Sequence, residues 1–325
     1  MSMAADQPSG IARVGRFLRD NPVVTLLILL AALVLLLQIL RPGIVNERWI
    51  GNTVKFAIPL AMLAACQTLT MLTGGIDLSA SVVATIAAFV VATQAPQVGT
   101  GLALVLALLP AVAIGLVNGF GVGICRVHPL IMTLGTGLIG TGFLQVYQRG
   151  VIATGSVVPT FLEWLGTGRT WGLPNALVLF VPFAVVLLLA QRRTGFGRLL
   201  YAIGANENAA RLSGVRAWQV YFGLYVLSAL IAAVAGLLYV GLIKAPSLSL
   251  VEPLLLPSVA AAVIGGTSIF GGRGSYSGTI VGALILTVLN TLLTLLQMPE
   301  GARRIIYGGI ILAVTALYAR LTDQG

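Results

Sequence analysis

The sequence predicts an all-α, polytopic integral membrane protein of about ten transmembrane helices with short cytoplasmic helices between them. Three observations carry that prediction. Hydrophobic residues make up 58% of the 325 residues and charged residues only 9%, against roughly a quarter charged in a soluble domain. Mean hydropathy is +1.01. The apolar residues are gathered into long runs, and Val23 to Leu40 carries no charge, close to the ~20 residues that cross a bilayer.

The runs can be taken in order. The first, 22–40, follows Arg13, Arg16 and Arg19. That order imitates a secretory signal, but the run is too long and no small-residue cleavage site follows it, so a retained first helix is expected. Runs 56–73, 79–96, 101–125 and 129–147 come next, then 173–190 and 218–243. Run 254–266 is short and ends in glycine, which predicts a broken helix, tolerated only where protein or a cavity surrounds the backbone. Runs 275–298 and 302–319 complete the set.

An even number of crossings puts both termini on one side. Arg13, Arg16 and Arg19, with Arg192, Arg193, Arg198, Arg211 and Arg216, assign that side to the cytoplasm, while Arg303 and Arg304 are discordant. Residues 1–20 are then a cytoplasmic N-terminal segment and 191–217 a cytoplasmic loop. The interval 148–172 faces outward, with Pro159, Trp164 and Trp171 suited to a membrane interface. No linker or low-complexity tract divides the chain, so residues 1–325 are expected to form a single transmembrane domain.

Several chemical readings are excluded. The net charge of +10 comes mostly from arginines scattered between apolar runs, with Lys55 and Lys244 the only lysines. This is membrane-flank anchoring, and no nucleic-acid partner is expected. Cys66 and Cys125 fall in apolar runs, as buried thiols. His128 is the only histidine, so a metal cluster or a Ser-His-Asp triad has no material. Gly135, Gly137 and Gly140 match GxGxxG but lie inside an apolar helix without a preceding strand. Gly115, Gly119 and Gly123, and Gly278 with Gly282, are spaced for close helix packing in the bundle or a dimer. No phosphate-cradling GxxxxGK[ST] occurs, so no catalysis and no cofactor are expected, and any ATPase must be another polypeptide.

Three motifs remain. In TGGIDLSAS (73–81), Gly74 and Gly75 end one helix and Asp77 or Ser79 caps the next. An ionisable group between membrane segments also admits a direct transport role, and both readings stay open for Asp77. In IGGTSIFGGRGSYSG (264–278), Gly265, Gly266, Thr267, Ser268, Gly271 and Gly272 form a break of the kind found in discontinuous transporter helices, or a flexible turn. In YAIGANENAARLSGV (201–215), Asn206 is a good N-cap, Glu207 suits a first turn with Arg211 at i+4, and Gly214 is a good C′ residue. The spacing predicts a short surface helix over 207–213, preceded by another near 197–203. Gln67, Thr70, Asn118, Gln145 and Asn290 are polar residues within apolar runs, candidates to line a pathway or to bond helices together.

In order and spacing, GGIDLS, GANENAARLSGV and AAVIGGTSIFGGRGS followed by GTIVGALIL resemble the permease subunits of ribose-type bacterial ABC sugar importers, over roughly 50–315. RVHPLIMTLGT at 126–136 is similar to the stretch leading into that family's fifth helix. The resemblance implies a homodimer around a central pathway, or a pairing with a paralogous permease. It implies a periplasmic binding protein that delivers a monosaccharide, and a cytoplasmic ATPase with two fused nucleotide-binding halves that drives alternating access. It assigns ATPase docking to Gly204, Ala205, Asn206, Glu207, Ala210, Arg211 and Gly214. Asp77 and the Gly265–Gly272 break carry over as motif positions. Two alternatives remain within transport: an ABC permease for a nucleoside or another small solute, and an ion-coupled secondary transporter, for which Asp77 is the only good coupling carboxylate. A non-transport scaffold is a third class.

Overall fold

The computed structural model describes residues 21–151 and 155–322, which are helical almost throughout. The expected 1–20 segment, with Arg13, Arg16 and Arg19, lies outside the described residues. Lipid offers backbone groups no hydrogen-bond partner, so each apolar run closes its own i→i−4 ladder. Five helices come first: α1 (Pro22–Leu40), α2 (Glu47–Leu72), α3 (Ala80–Val98), α4 (Thr100–Gly123) and α5 (Pro129–Val151). A short α6 (Thr160–Thr167) and a hairpin of β1 (Arg169–Thr170) and β2 (Leu173–Pro174) lead to α7 (Ala176–Arg193). Two short helices, α8 (Gly195–Ala205) and α9 (Glu207–Leu212), precede the long α10 (Ala217–Ile243). A 3-10 turn at Glu252–Leu254 opens α11 (Leu255–Ile264), followed by α12 (Tyr276–Leu295) and α13 (Glu300–Thr322).

Among the described residues, 8 helices are long and apolar enough to span a membrane: α1 to α5, α7, α10 and α12. The remaining two apolar runs are α11, only 10 residues long, and α13, whose first turns carry Glu300, Arg303 and Arg304. The chain therefore folds as an all-α polytopic bundle. In α2, 83% of the spanning window is buried against 6% in α1, so α2 is the axis and α1 the periphery. Around α2 pack α10, α12 and α11.

Two expectations change. Helix α2 begins at Glu47, well before the apolar run at 56, because Asn46 Oδ1 accepts the Trp49 N–H at 2.9 Å and Glu47 occupies the first turn. Hydropathy registers only the lipid-embedded part of a helix, so Arg48 and Lys55 read as loop residues but are helical. The Lys55 ammonium donates to the Thr167 carbonyl, which pins α6 to the axis. Cys125 follows the end of α4 and is exposed, whereas Cys66 is buried; both are free thiols. Proximity to an apolar run did not imply burial.

Charged side chains tie the described part of the interval 148–172 to the bundle. Lys244 pairs with Glu163 at 3.1 Å, Lys55 holds Thr167, and the Arg169 guanidinium donates to Asn52 Oδ1 at 3.0 Å. Trp171 is 97% exposed, and Phe161 stacks on Trp164.

The glycine spacings resolve into packing within one chain. A Cβ on Gly115 would stand 2.8 Å from the Tyr225 carbonyl oxygen, and one on Gly119 2.8 Å from Phe222 Cα, so this face of α4 lies directly on α10. Gly278 and Gly282 of α12 lie on the Gly265 and Ala261 carbonyls of the α11 arm. Gly140 of the GTGLIG run sits against Val82 of α3. Overpacking a tight contact typically costs ~1–3 kcal/mol. Gly119→Leu should therefore lower the midpoint of thermal aggregation of the purified protein by several degrees. Gly101→Leu, where a Cβ meets nothing within 4 Å, should leave it nearly unchanged.

Candidate functional site

The GGIDLS stretch is built first. Thr73 terminates α2, Gly74 turns left-handed at φ +77°, and the Gly75 N–H closes a 3.0 Å bond onto the Thr70 carbonyl, a Schellman-type cap. Asp77 is then fully enclosed, 1% exposed. Its Oδ1 accepts the Ser79 N–H at 3.0 Å and the Ser79 hydroxyl at 2.6 Å, while Oδ2 accepts the Ser228 hydroxyl of α10 at 2.7 Å. Gln67 pairs with the Asp77 backbone in both directions, Nε2 donating to the carbonyl at 2.8 Å and Oε1 accepting the N–H at 3.2 Å.

The neighbouring helices close the cluster. Thr133 of α5 donates to the Ile76 carbonyl and accepts the Leu78 N–H, at 3.0 and 3.1 Å. Asn118 of α4 donates to Ser79 Oγ at 3.0 Å and accepts from Thr136 at 2.7 Å. Side chains of α2, α4, α5 and α10 thus converge on residues 76–79. The Asp77 carboxylate has three donors and is turned into packed helices.

The second break repeats the first cap. Gly265 ends α11, Gly266 turns at φ +89°, and the Thr267 N–H bonds the Ala262 carbonyl at 3.0 Å. The chain then returns through Gly271 (φ +94°) and Gly272 (φ +70°) into α12, with the Ser268 N–H on the Arg273 carbonyl at 2.9 Å. Thr279 of α12 meets Thr68 of α2, hydroxyl to hydroxyl, at 2.7 Å.

The third motif forms the pair α8–α9. Thr194 caps α8 by accepting the Gly197 N–H, and Asn206 caps α9 by accepting the Ala209 N–H at 2.9 Å. Glu207 and Arg211 pair within α9, Arg211 Nε to Oε1 at 2.8 Å, and the Tyr221 hydroxyl of α10 donates to Glu207 Oε2 at 2.9 Å. Gly214 turns at φ +86° while the Val215 N–H reaches the Ala210 carbonyl at 3.1 Å.

The three motifs meet at one point. The Gly272 N–H donates to the Leu72 carbonyl at 3.0 Å, joining the two helix breaks. A Cβ on Gly204 would fall inside both the Leu72 carbonyl oxygen and the Gly272 nitrogen, so α8 touches both breaks with its bare backbone. A Cβ on Gly272 would stand 3.1 Å from Ala205 Cα. Two further ties fix the same segment: the Tyr201 hydroxyl donates to the Gly274 carbonyl at 2.7 Å, and Gln191 Oε1 accepts the Tyr276 N–H at 3.1 Å.

Of the polar residues singled out within apolar runs, Gln67 and Asn118 belong to the Asp77 cluster. Thr70 is buried, with its hydroxyl on the Cys66 carbonyl at 2.9 Å. Gln145 is exposed toward the C-terminal end of α5, beyond Thr133 and Thr136. Asn290 lies in the C-terminal half of α12, toward the opposite end of the bundle from Gly272. Sequence reasoning missed Ser228, Thr133, Thr136, Gln191 and Tyr201. Each is a single polar group in an apolar or amphipathic helix; polarity within a run was the available signal.

Hydrogen bonds between membrane helices average ~0.6 kcal/mol and reach ~1.7 kcal/mol. Ser228→Ala should lower stability within that range. Asp77→Ala, which strands the Ser79 and Ser228 donors together, should lower it more and reduce the amount of protein in the membrane, as read by quantitative immunoblot against the Ser228→Ala variant.

The family described as branched-chain amino acid transport system / permease component matches residues 49–315. The ribose import permease of Escherichia coli strain K12 is 34% identical over 301 residues, covering 92% of this chain and 92% of that one. The galactofuranose transporter permease of the same strain is 34% identical over 263 residues, covering 79% and 76%. A probable ABC transporter permease of that strain is 30% identical over 306 residues, covering 92% and 90%. No solved structure gives a significant match. The match takes in both helix breaks and the α8–α9 pair, and the chain belongs to this family of multi-pass permease components.

Proposed function

We propose that this permease passes a ribose-like monosaccharide, whether pentose, hexose or related polyol, into a bacterial cytoplasm as the membrane subunit of an ATP-driven importer. Its partners in this reading are a periplasmic sugar-binding protein and a second permease copy. A separate ATPase with two fused nucleotide-binding halves docks on α8–α9. Residues 1–325 act as one unit in the inner membrane, with the termini and the 191–217 loop on the cytoplasmic side. The observation that carries the reading is the contact of Gly204 with Leu72 and Gly272. A docking element joined to both helix breaks through backbone atoms has no rotatable side chain to absorb a displacement.

The mechanism follows from those ties. When ATP draws the ATPase halves together, α8–α9 is pulled with them. Gly204, Tyr201 and Gln191 carry that motion to residues 271–276, and so into α12. In parallel, Glu207 carries it through Tyr221 into α10. The helices rock about α2 and the solute pathway opens to the outside. The relatives' names support a sugar: two are permeases for ribose and galactofuranose.

Exchanging the charges in Glu207→Arg with Arg211→Glu keeps an i,i+4 pair, worth ~0.2–0.5 kcal/mol, so α9 should still form. The Tyr221 donor loses its carboxylate. The expected outcome is normal membrane level with at least a tenfold loss of ATP-dependent D-ribose, D-fructose or D-galactose uptake in cells carrying the cognate ATPase and binding protein. Unchanged uptake of whichever of these sugars the wild type imports would remove α9 from the docking role.

A further inference from the structure

A cavity of about 810 Å³ lies at the end of the bundle opposite the Gly204 contact. Its walls are the N-terminal half of α2, the C-terminal half of α12, the start of α13 and the turn before α11. That volume is in the range of small-molecule sites. We infer that this cavity, formed within a single chain, is a binding site for a neutral polyhydroxylated solute, read by the polar row on α12 and by Asn290.

The hydrogen-bonding inventory points to that class. Thr287, Thr291 and Thr294 all line the cavity. Each spends its proton on its own helix, donating to the carbonyls of Ala283, Thr287 and Asn290 at 2.8, 3.2 and 2.7 Å. Their oxygens are left as acceptors. Asn290 is the converse. Its Oδ1 takes the Arg303 guanidinium at 3.2 Å and the Tyr307 hydroxyl at 3.4 Å, so its amide N–H groups are what it offers. A row of acceptors beside an amide donor suits hydroxyl groups, which need both.

Charge and shape agree. Arg303 is occupied by Asn290 and by the Met298 carbonyl at 3.1 Å, and Glu300 pairs with Arg304 at 3.5 Å. Arg41 is the third charged residue of the lining, and Phe56, Leu60, Tyr239 and Leu286 form its uncharged part. That part supplies apolar and aromatic surface for the C–H face of a ring. Trp49, also in the wall, has an enclosed indole N–H without an acceptor among the described residues. A neutral sugar can be held by the uncharged lining alone, whereas a zwitterion such as a branched-chain amino acid would have to engage the cavity's charged residues, Arg41, Arg303 and Glu300.

The inference rests on the importer reading only for the choice of sugars, and its test does not use transport. The full chain with Cys125→Ser carries a reporter, either Ile44→Cys or Leu295→Cys; both positions line the cavity outside the polar row. Spheroplasts are treated with an impermeant maleimide from outside, with D-ribose, D-fructose, D-galactose or L-leucine present. A bound ligand at about ten times its dissociation constant should slow labelling roughly tenfold. The expected result is labelling at both reporters, slowed by at least one of the sugars and not by L-leucine. Adding Asn290→Leu to Leu295→Cys should abolish that protection while labelling itself persists.

Labelling that no sugar slows, equal or stronger protection by L-leucine, or no labelling from outside at either reporter would each overturn the inference. Wild-type uptake is scored separately. A protein that imports sugar without protection loses the cavity and keeps the importer reading; protection with uptake that survives loss of the ATPase does the reverse.

Discussion

The carbonyl of Leu72 stands at the last turn of the most buried helix, where an α-helix leaves its final carbonyls without partners. In a soluble protein water would take it. Here the residue is completely buried, and the Gly272 N–H from another broken helix supplies the bond at 3.0 Å. Interrupting a helix inside a membrane protein is permitted only when such partners exist. The two breaks therefore depend on each other. Because the bond runs between backbones, any side chain at the crossing would obstruct it, and the third participant, at 204, is also glycine.

From that constraint the remainder of the inner packing follows. Residues 76–79 are led away from α2 and held by Gln67, Asn118, Thr133 and Ser228 from four helices. The return into α12 is held by Gln191 and Tyr201. The α8–α9 pair divides its attachments, α8 to both breaks and α9 to α10 through Glu207 and Tyr221. One surface element is thus joined to the two structures, the α11–α12 hairpin and α10, that flank the central helix. In α12 the same rod has the Gly272 crossing near one end and the threonine row of the large cavity near the other.

Family membership and physical chemistry constrain the function from different sides. The family's description names branched-chain amino acids, while relatives covering most of the chain are permeases for sugars. The cavity inferred above bears on the choice, because a zwitterion would have to engage its charged residues, Arg41, Arg303 and Glu300, and a polyol only its donors and acceptors. Arg303 and Arg304, discordant for sidedness when read as sequence, are occupied in structural contacts, Arg303 with Asn290 and Met298 and Arg304 with Glu300.

Much that is decided within a few residues was legible in the sequence. Gly74, Gly214 and Gly266 are left-handed helix-end residues, Asn206 is a cap, and Glu207 bonds Arg211, because capping and i,i+4 spacing are local. The long apolar runs likewise declared the spanning helices, since lipid enforces both composition and length. The start of α2 was not legible, because hydropathy does not register the part of a helix outside lipid. Nor were the partners of Asp77, the crossing of Gly204 with Leu72 and Gly272, or the gathering of three distant motifs at one contact. Those are decided by which backbone lies opposite which. No periodicity within a segment encodes that, and only the packed bundle settles it.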